Sequence, residues 1–457
     1  MKSITPKLFC KTLEMRLRGM LCFVMITAMF ISISKAHCDE TNHPEKSSAS
    51  GHSDSLEDAW AAAMVSSHPL KASRKSTDAA HETLAGAKAT HFPTIAAEGG
   101  HFWLDEAPSA IVSLPGLPGM PVALDDKFWA GRATVTVPLF TSGRISSGVD
   151  AANAGWKAAQ AEQRREILDV KMSVADAYVK VLRATQAVKV AASNVASLSS
   201  HSQNVSNLFD KGFVAKNDLL TAQVVLANAR QNEIKARNGL DIASASYNRF
   251  LGRPLTRMVS LEDLAPTSVP GDVNELTARA LKERPELVVL TEQAEALHKE
   301  AKGIRASALP SIGVSGGYNY LQNSFSDRDH VWAIGVVGTW NIFDSGLTGH
   351  KARAVDAKAD TISAMRAEAM DGVSLQVRQA WLEVDETRLR LDVTQDSVAQ
   401  AEENLKVVRN RYRTGNGTST DVLDAETLRV LSFSNHNNAV YDAVMANFRL
   451  RRAVGDL

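Results

Sequence analysis

His91-Phe-Pro-Thr-Ile-Ala-Ala-Glu-Gly-Gly100 is written a second time, 217 positions on, as Ala308-Leu-Pro-Ser-Ile-Gly-Val-Ser-Gly-Gly317. A second match joins Trp129 through Val137-Pro-Leu-Phe140-Thr-Ser-Gly143 to Trp332 through Trp340-Asn-Ile-Phe343-Asp-Ser-Gly346, at an offset of 203. Lys211-Gly212 through Asp218-Leu-Leu220 then matches Thr414-Gly415 through Asp421-Val-Leu423, again at 203. Self-similarity at a fixed spacing organises the chain before any element is assigned. An offset that holds over some 90 residues admits no insertion, which predicts one long rigid element in each half. The change from 217 to 203 places 14 extra residues between about 105 and 127, a Pro- and Gly-rich stretch that reads as a loop.

The quoted stretches have period 2. Ile95, Ala97, Gly99, His101 and Trp103 share one face, and Ile312, Val314, Gly316, Tyr318 and Tyr320 repeat it. The returning strands do the same, with Trp129 through Leu139 at every second position and Trp332 through Ile342 likewise. Strands of about 11 to 13 residues, apolar on one face and small or polar on the other, have the length and alternation of transmembrane β-strands. They form two hairpins, over 92–140 and 309–343. These windows hold 12 of the chain's 27 aromatic residues, as expected of interfacial girdles. Four strands are too few to close a barrel, and a bilayer permits no open sheet edge. The hairpins must therefore be shared among copies of the chain.

Beyond each hairpin the period turns helical. Ile167, Val170, Val174, Ala177, Val181, Ala184, Val188, Ala191, Val195, Leu198, Ser202, Val205 and Phe209 step by three and four, and adding 203 gives an equivalent seam from Met370 to Tyr412. A sustained heptad predicts coiled-coil packing, in helices over 144–208 and 347–411 that run roughly 100 Å at about 1.5 Å per residue. Gly212 and Gly415 stop them, and return helices follow over 216–252 and 419–454. Pro69, Pro93, Pro285 and Pro310 bracket a further helical segment before each hairpin. The first repeat thus covers 55–254, and the second covers 276–457 after a linker over 255–275.

Residues 1–36 read as a secretory signal: a basic start (Lys2, Lys7, Lys11, Arg16, Arg18), an apolar run over 20–33, then Ser34-Lys-Ala36. Cys10, Cys22 and Cys38 all fall at or before residue 38, which leaves the mature chain no internal disulfide framework. Residues 37–54 are polar and Ser-rich, a solvated lead-in whose His37, His43 and His52 are spaced too loosely for a metal site. Lys+Arg 51 against Asp+Glu 51 argues against a general nucleic-acid binder. Removing residues 1–36 takes six Lys/Arg and one acid, so the mature chain carries 45 against 50. No phosphate-cradling loop, CxxC pair, HExxH or nucleophile elbow is present, so neither enzyme chemistry nor a cofactor or metal is expected.

The duplicated signatures FPTI…GG and LPSI…GG, VPLFTSG and WNIFDSG, and the turn Tyr412-Arg-Thr-Gly-Asn-Gly-Thr-Ser-Thr-Asp421-Val-Leu-Asp424-Ala resemble the TolC-type outer membrane efflux proteins, from about residue 56 to the C-terminus. The resemblance implies a mixed α/β membrane protein: a homotrimer with one 12-stranded β-barrel, four strands per protomer, continued by a periplasmic α-helical coiled-coil barrel. It places an equatorial belt at the linker and the chain ends. It implies the outer membrane of a Gram-negative bacterium, contact with outer membrane lipid, and a passive exit duct for a tripartite efflux or type I secretion system. A periplasmic adaptor (membrane fusion protein) and an inner-membrane RND or ABC transporter would be its partners. The family's gate carries over by motif. Tyr412 matches the tip tyrosine, Asp218 its acceptor on the neighbouring helix pair, and Asp421 and Asp424 the carboxylates that ring the constriction. Gly212, Gly415 and Gly417 form the tip turns, and Gly417 stands where family members carry an arginine, whose role would fall to Arg411, Arg413 or Lys216. Asp421 also suits helix N-terminal charge stabilisation. The competing reading is a periplasmic adaptor or coiled-coil structural protein of such a system. That class would show one helical hairpin flanked by small β-domains, whereas this chain has two helical and two β-hairpins.

Overall fold

Proline and serine set the first breaks in the chain. Ser55 caps α1 (Leu56–Ser66) through a reciprocal capping box with Asp58, and the Ser67 side chain caps α2 (His68–Ala89), which carries Pro69 in its first turn. The second repeat does the same with α5 (Val273–Glu283) and α6 (Pro285–Ala306), separated by Arg284 in extended backbone. Arg284, before Pro285, is pushed out of the helical region, and in the first repeat the N-cap Ser67 makes the break, so the helical segment expected before each hairpin is two helices with a corner between them. The computed structural model describes residues 53–107, 109–112, 120–123, 125–267, 271–322 and 328–457. The expected signal, the three cysteines and His37, His43 and His52 lie outside the described residues. Asp54, placed by the sequence in the lead-in, is ordered. It bridges to Leu261, accepts from Tyr178 Oη through its carbonyl at 2.9 Å, and pairs with Arg253 through its carboxylate.

The strands β1 (Thr94–Trp103), β4 (Lys127–Phe140), β5 (Ser311–Leu321) and β6 (His330–Thr339) form one antiparallel sheet in the order β1-β4-β5-β6. Within the first loop, β2 (Ser109–Val112) pairs with β3 (Met120–Ala123), which corrects the reading of that insertion as loop alone. The last strand ends at Thr339, short of the Ile342 that the alternation suggested, and Trp340 Nε1 instead donates to the Ala308 carbonyl at 3.1 Å. Ladder register puts Glu98 opposite Arg132, a 2.9 Å ion pair, and Arg132 opposite Asn319. That polar row lies on one face. Ile95, Trp129, Trp332, Ile334 and Val336 lie exposed on the other, where hydrocarbon rather than water suits them. At Pro138, which has no ladder donor, the β4–β5 register shifts. At Gly317 a Cβ would come 2.3 Å from the Ala133 carbonyl oxygen, so the β4–β5 approach requires glycine. Among the described residues, strands β1 and β6 each have one edge without a partner strand in the protomer.

Each hairpin feeds a 67-residue helix, α3 (Arg144–Asp210) and α7 (Leu347–Arg413), each roughly 100 Å long at about 1.5 Å per residue. They return as α4 (Lys216–Phe250) and α8 (Ser419–Val454). The main core lies midway. There Val174, Tyr178 and Leu182 of α3 meet Leu56 and Ala63 of α1, Tyr247 of α4, and Tyr441 and Met445 of α8. A second cluster joins Leu276 and Ala280 of α5 to Val373 and Val377 of α7 and Leu450 of α8. Among the described residues no helix is long and apolar enough to cross a membrane.

Candidate functional site at the helix tips

Farthest from the sheet, each long helix turns back on glycine. Gly212 and Gly415 take φ of 77° and 76°, the left-handed conformation that closes a helix end at no steric cost. Gly417 serves differently. A Cβ there would stand 3.2 Å from the Tyr412 amide nitrogen and 3.3 Å from Arg411 Cβ, so its bareness lets the turn fold tightly onto the end of α7. Arg411 donates to the Asn416 carbonyl at 3.2 Å and so braces its own turn.

The two return helices begin differently although the repeat aligns them. Thr418 caps α8: the Asp421 amide donates to Thr418 Oγ1 at 3.1 Å, and the Thr418 amide donates to the Asp421 carboxylate at 2.9 Å. That bond to the Thr418 backbone, then the hydroxyl, holds the Asp421 carboxyl below its ordinary range. At the equivalent start of α4 the cap is Ala215, which has no side-chain oxygen, so the carboxylate of Asp218 has no capping hydroxyl to partner. The hydroxyl of Tyr412 is buried and, among the described residues, has no hydrogen-bond partner of good geometry; burial, then the charge of Asp218, pushes the phenol up. The Tyr412–Asp218 hydrogen bond implied by resemblance is thus not formed in this protomer. The ring instead packs with Leu405, Val422 and Ala425 and against His201 at 5.3 Å. Asp424 is exposed on the same side of α8 as Asp421.

Sequence reasoning missed a polar stripe one to three turns above. Ser193, Ser197 and His201 recur every four residues on α3 and meet the α7–α8 pair. Glu426 of α8, 1% exposed, accepts from Ser197 Oγ, from Arg409 of α7, and from Arg429 of α8 at 3.1 Å. Arg429 also donates to Ser193 Oγ at 3.2 Å. His201 Nε2 and Ser419 Oγ are hydrogen-bonded at 3.0 Å. Burial, then the nearby Arg409 guanidinium, lowers the His201 pKa from its ordinary 6.5. Glu426 left a legible trace: it lies on the face of α8 buried with Val422 and Ala425, opposite Asp424, where an acid needs partners.

Among the described residues no group of His, Cys, Asp and Glu could hold a metal ion. What the tip offers is interlocked helix ends with exposed carboxylates, not a reacting constellation. The outer membrane efflux protein family matches residues 61–253 and 276–456. The alkaline protease secretion protein AprF of Pseudomonas aeruginosa is 24% identical over 306 residues, 64% of this chain and 63% of that protein. The outer membrane protein TolC of Vibrio cholerae is 23% identical over 323 residues, 68% of this chain and 74% of that protein. A crystal structure of CusC superposes with a TM-score of 0.76 at 16% identity, over 87% of this chain and 91% of that one.

Proposed function

The chain belongs to the outer membrane efflux protein family, and on that premise we propose that it is the passive exit duct of a tripartite efflux or type I secretion system, assembled as a homotrimer in the outer membrane. The observation that carries the reading is a four-stranded sheet, apolar on one face and with two unpartnered edges, continuous with helices roughly 100 Å long. Three copies supply 12 strands and leave no open edge. In the same assembly the tips of α3, α4, α7 and α8 converge at the periplasmic end. A periplasmic adaptor and an inner-membrane RND or ABC transporter would supply energy and selection. The name of AprF, a protease secretion protein, and that of the family, efflux, span the two cargo classes.

The gate in this proposal is the tip: Tyr412 with Asp218 between helix pairs, and Asp421 and Asp424 around the axis. Six carboxylates on three copies repel one another at a narrow opening and attract cations. Planar-bilayer recording of the purified trimer tests both points. A pore blocked from the periplasmic side by a multivalent cation is expected, with block lost in the Asp421→Ala, Asp424→Ala double variant. Block that persists there removes the ring, and Asp218→Ala that leaves the leak unchanged removes that residue from the gate. Deleting the gene and comparing drug and metal susceptibility with the secreted proteome identifies the cargo.

A further inference from the structure

We propose that Phe102 and Phe128 form a binding site for planar aromatic cations at the extracellular exit of the lumen. The site needs three copies that enclose a bore, so it rests on the duct reading. It deepens that reading by naming a class of cargo that the exit holds and the side chains that hold it.

The two faces of the sheet use aromatic residues differently. Trp103, Trp129 and Trp332 stand exposed on the face turned to hydrocarbon, as girdle residues do. Phe102 and Phe128 are partners on the other face of the β1–β4 ladder, with Gly100 and Ala130 between them and the Glu98–Arg132 pair. At alternate positions of that face, over 94–102, 128–136, 313–321 and 331–339, they are the only aromatic side chains among the described residues. A barrel lumen is ordinarily polar, so rings placed there against water call for a ligand rather than a lipid. The two rings are stacked, 5.4 Å apart at an interplanar angle of 24°, and Phe102 is 47% exposed. A Cβ on Gly100 would stand 3.4 Å from Phe102 Cε2, so the ring leans back along the wall over the bare glycine instead of outward into the loops.

Charge immediately beyond the stack decides what suits it. The described residues at the outer ends of β1 and β4, over 104–107 and 125–127, hold Asp105, Glu106, Asp125 and Asp126 against Lys127. Four acids against one base leave −3 per copy, or −9 for three copies, and the described ends of the other hairpin, over 321–322 and 328–330, add no net charge. On the inner side Glu98 and Arg132 cancel one another at 2.9 Å. A rim of one sign around a confined mouth concentrates ions of the other sign. A flat aromatic cation is therefore favoured twice, by stacking and cation–π attraction to the rings and by the longer-range pull of the rim. An inorganic cation gains only the second, and an aromatic anion only the first. Each contact is modest, which suits an exit: a conducting site must bind well enough to be entered and weakly enough to be left.

The test uses the assembled protein in nanodiscs of uncharged lipid, titrated with proflavine, a planar aromatic cation, and read by fluorescence anisotropy against empty nanodiscs. Saturable binding is expected, weakening several-fold between about 0.05 M and about 0.5 M salt as the rim is screened. The Phe102→Leu, Phe128→Leu double variant keeps apolar volume without rings and is expected to weaken binding about tenfold. Phe102→Leu alone is the variant to use should the pair not assemble. The Phe102→Tyr, Phe128→Tyr double variant keeps both rings and is expected to hold the wild-type affinity to within about twofold. Tetraethylammonium, a cation without a ring, and naphthalenesulfonate, a ring with the opposite charge, should leave the dye in place. Anisotropy no higher than in empty nanodiscs, binding that survives the leucine variants, or displacement by tetraethylammonium overturns the exit site alone. A chain that forms no pore in planar bilayers overturns the duct reading and the site with it.

Discussion

Ser142 and Ser345 hold φ of 50° and 55°, each followed by a left-handed glycine, at the two joints where strand becomes long helix. A side chain in that region costs on the order of 1–2 kcal/mol. The two serines recover different amounts of it. Ser142 Oγ donates to the Pro310 carbonyl at 2.6 Å and ties the head of α3 to the chain entering β5. Ser345 has no such bond among the described residues. The neighbouring Asp344 makes the cap instead, accepting from the Gly346 and Thr348 amides at 2.9 and 2.8 Å. Ser345→Gly relieves the strain but adds freedom to the unfolded chain, which offsets about half the gain. A rise of about 1–2 °C in the melting midpoint of the detergent-solubilised protein is expected. Ser142→Gly, which also gives up a hydrogen bond, should gain less; a fall on Ser345→Gly would show that the hydroxyl holds something at the joint.

Between elements, an electrostatic joint forms where Arg452 of α8 bonds Asp169 of α3 at 2.7 Å and Glu286 of α6 at 2.8 Å, and Arg284 bonds Glu286 at 3.0 Å. Burial alone would raise the Glu286 carboxyl, but hydrogen bonds from Arg452 and Arg284 hold it down to about 2. A depressed carboxyl stabilises the fold above its ordinary pKa near 4.5, and that contribution fades as pH falls toward about 2. Discounted for partial exposure, Glu286→Gln is expected to cost about 1–2 kcal/mol at neutral pH. Urea melts at neutral and acid pH check it: the gap between variant and wild type should narrow with acid, and a constant gap would assign the loss to packing. None of this joint was legible in the sequence, because Asp169, Glu286 and Arg452 are brought together only by the fold. The elements themselves were more open to reading. Their repeat extends to the return-helix ends, where Gly252 and Gly455, also 203 apart, take φ of 65° and 99°. The β2–β3 ladder escaped notice because Pro and Gly in that stretch broke the alternation by which strands are recognised. The α3 stripe escaped because Ser193, Ser197 and His201 lie beside the heptad seam rather than on it, with partners more than 200 residues away.

For the whole molecule the decisive quantity is the number of copies. Each protomer contributes four strands, so a closed barrel holds a multiple of four, and the smallest transmembrane barrels use about eight. Two copies would meet that minimum, but an eight-stranded barrel is just wide enough for its own side chains to fill and leaves no bore. A duct therefore needs at least three copies, and 12 strands is the first closure with an open lumen. The strand order allows it, because β1 and β6 run in opposite directions and each has an unpaired edge, so β6 of one copy continues antiparallel into β1 of the next. The helices agree: α3, α4, α7 and α8 give four per copy at the tip, and the buried Glu426 cluster links the two pairs of one copy rather than of neighbours. Native mass spectrometry of the detergent-released complex is expected to give three chains. Two chains would leave a plugged barrel and sink the duct reading outright. Monomers that bind detergent but conduct nothing would show that the sheet edges find another partner, and the inference from open edges to a shared barrel would fall.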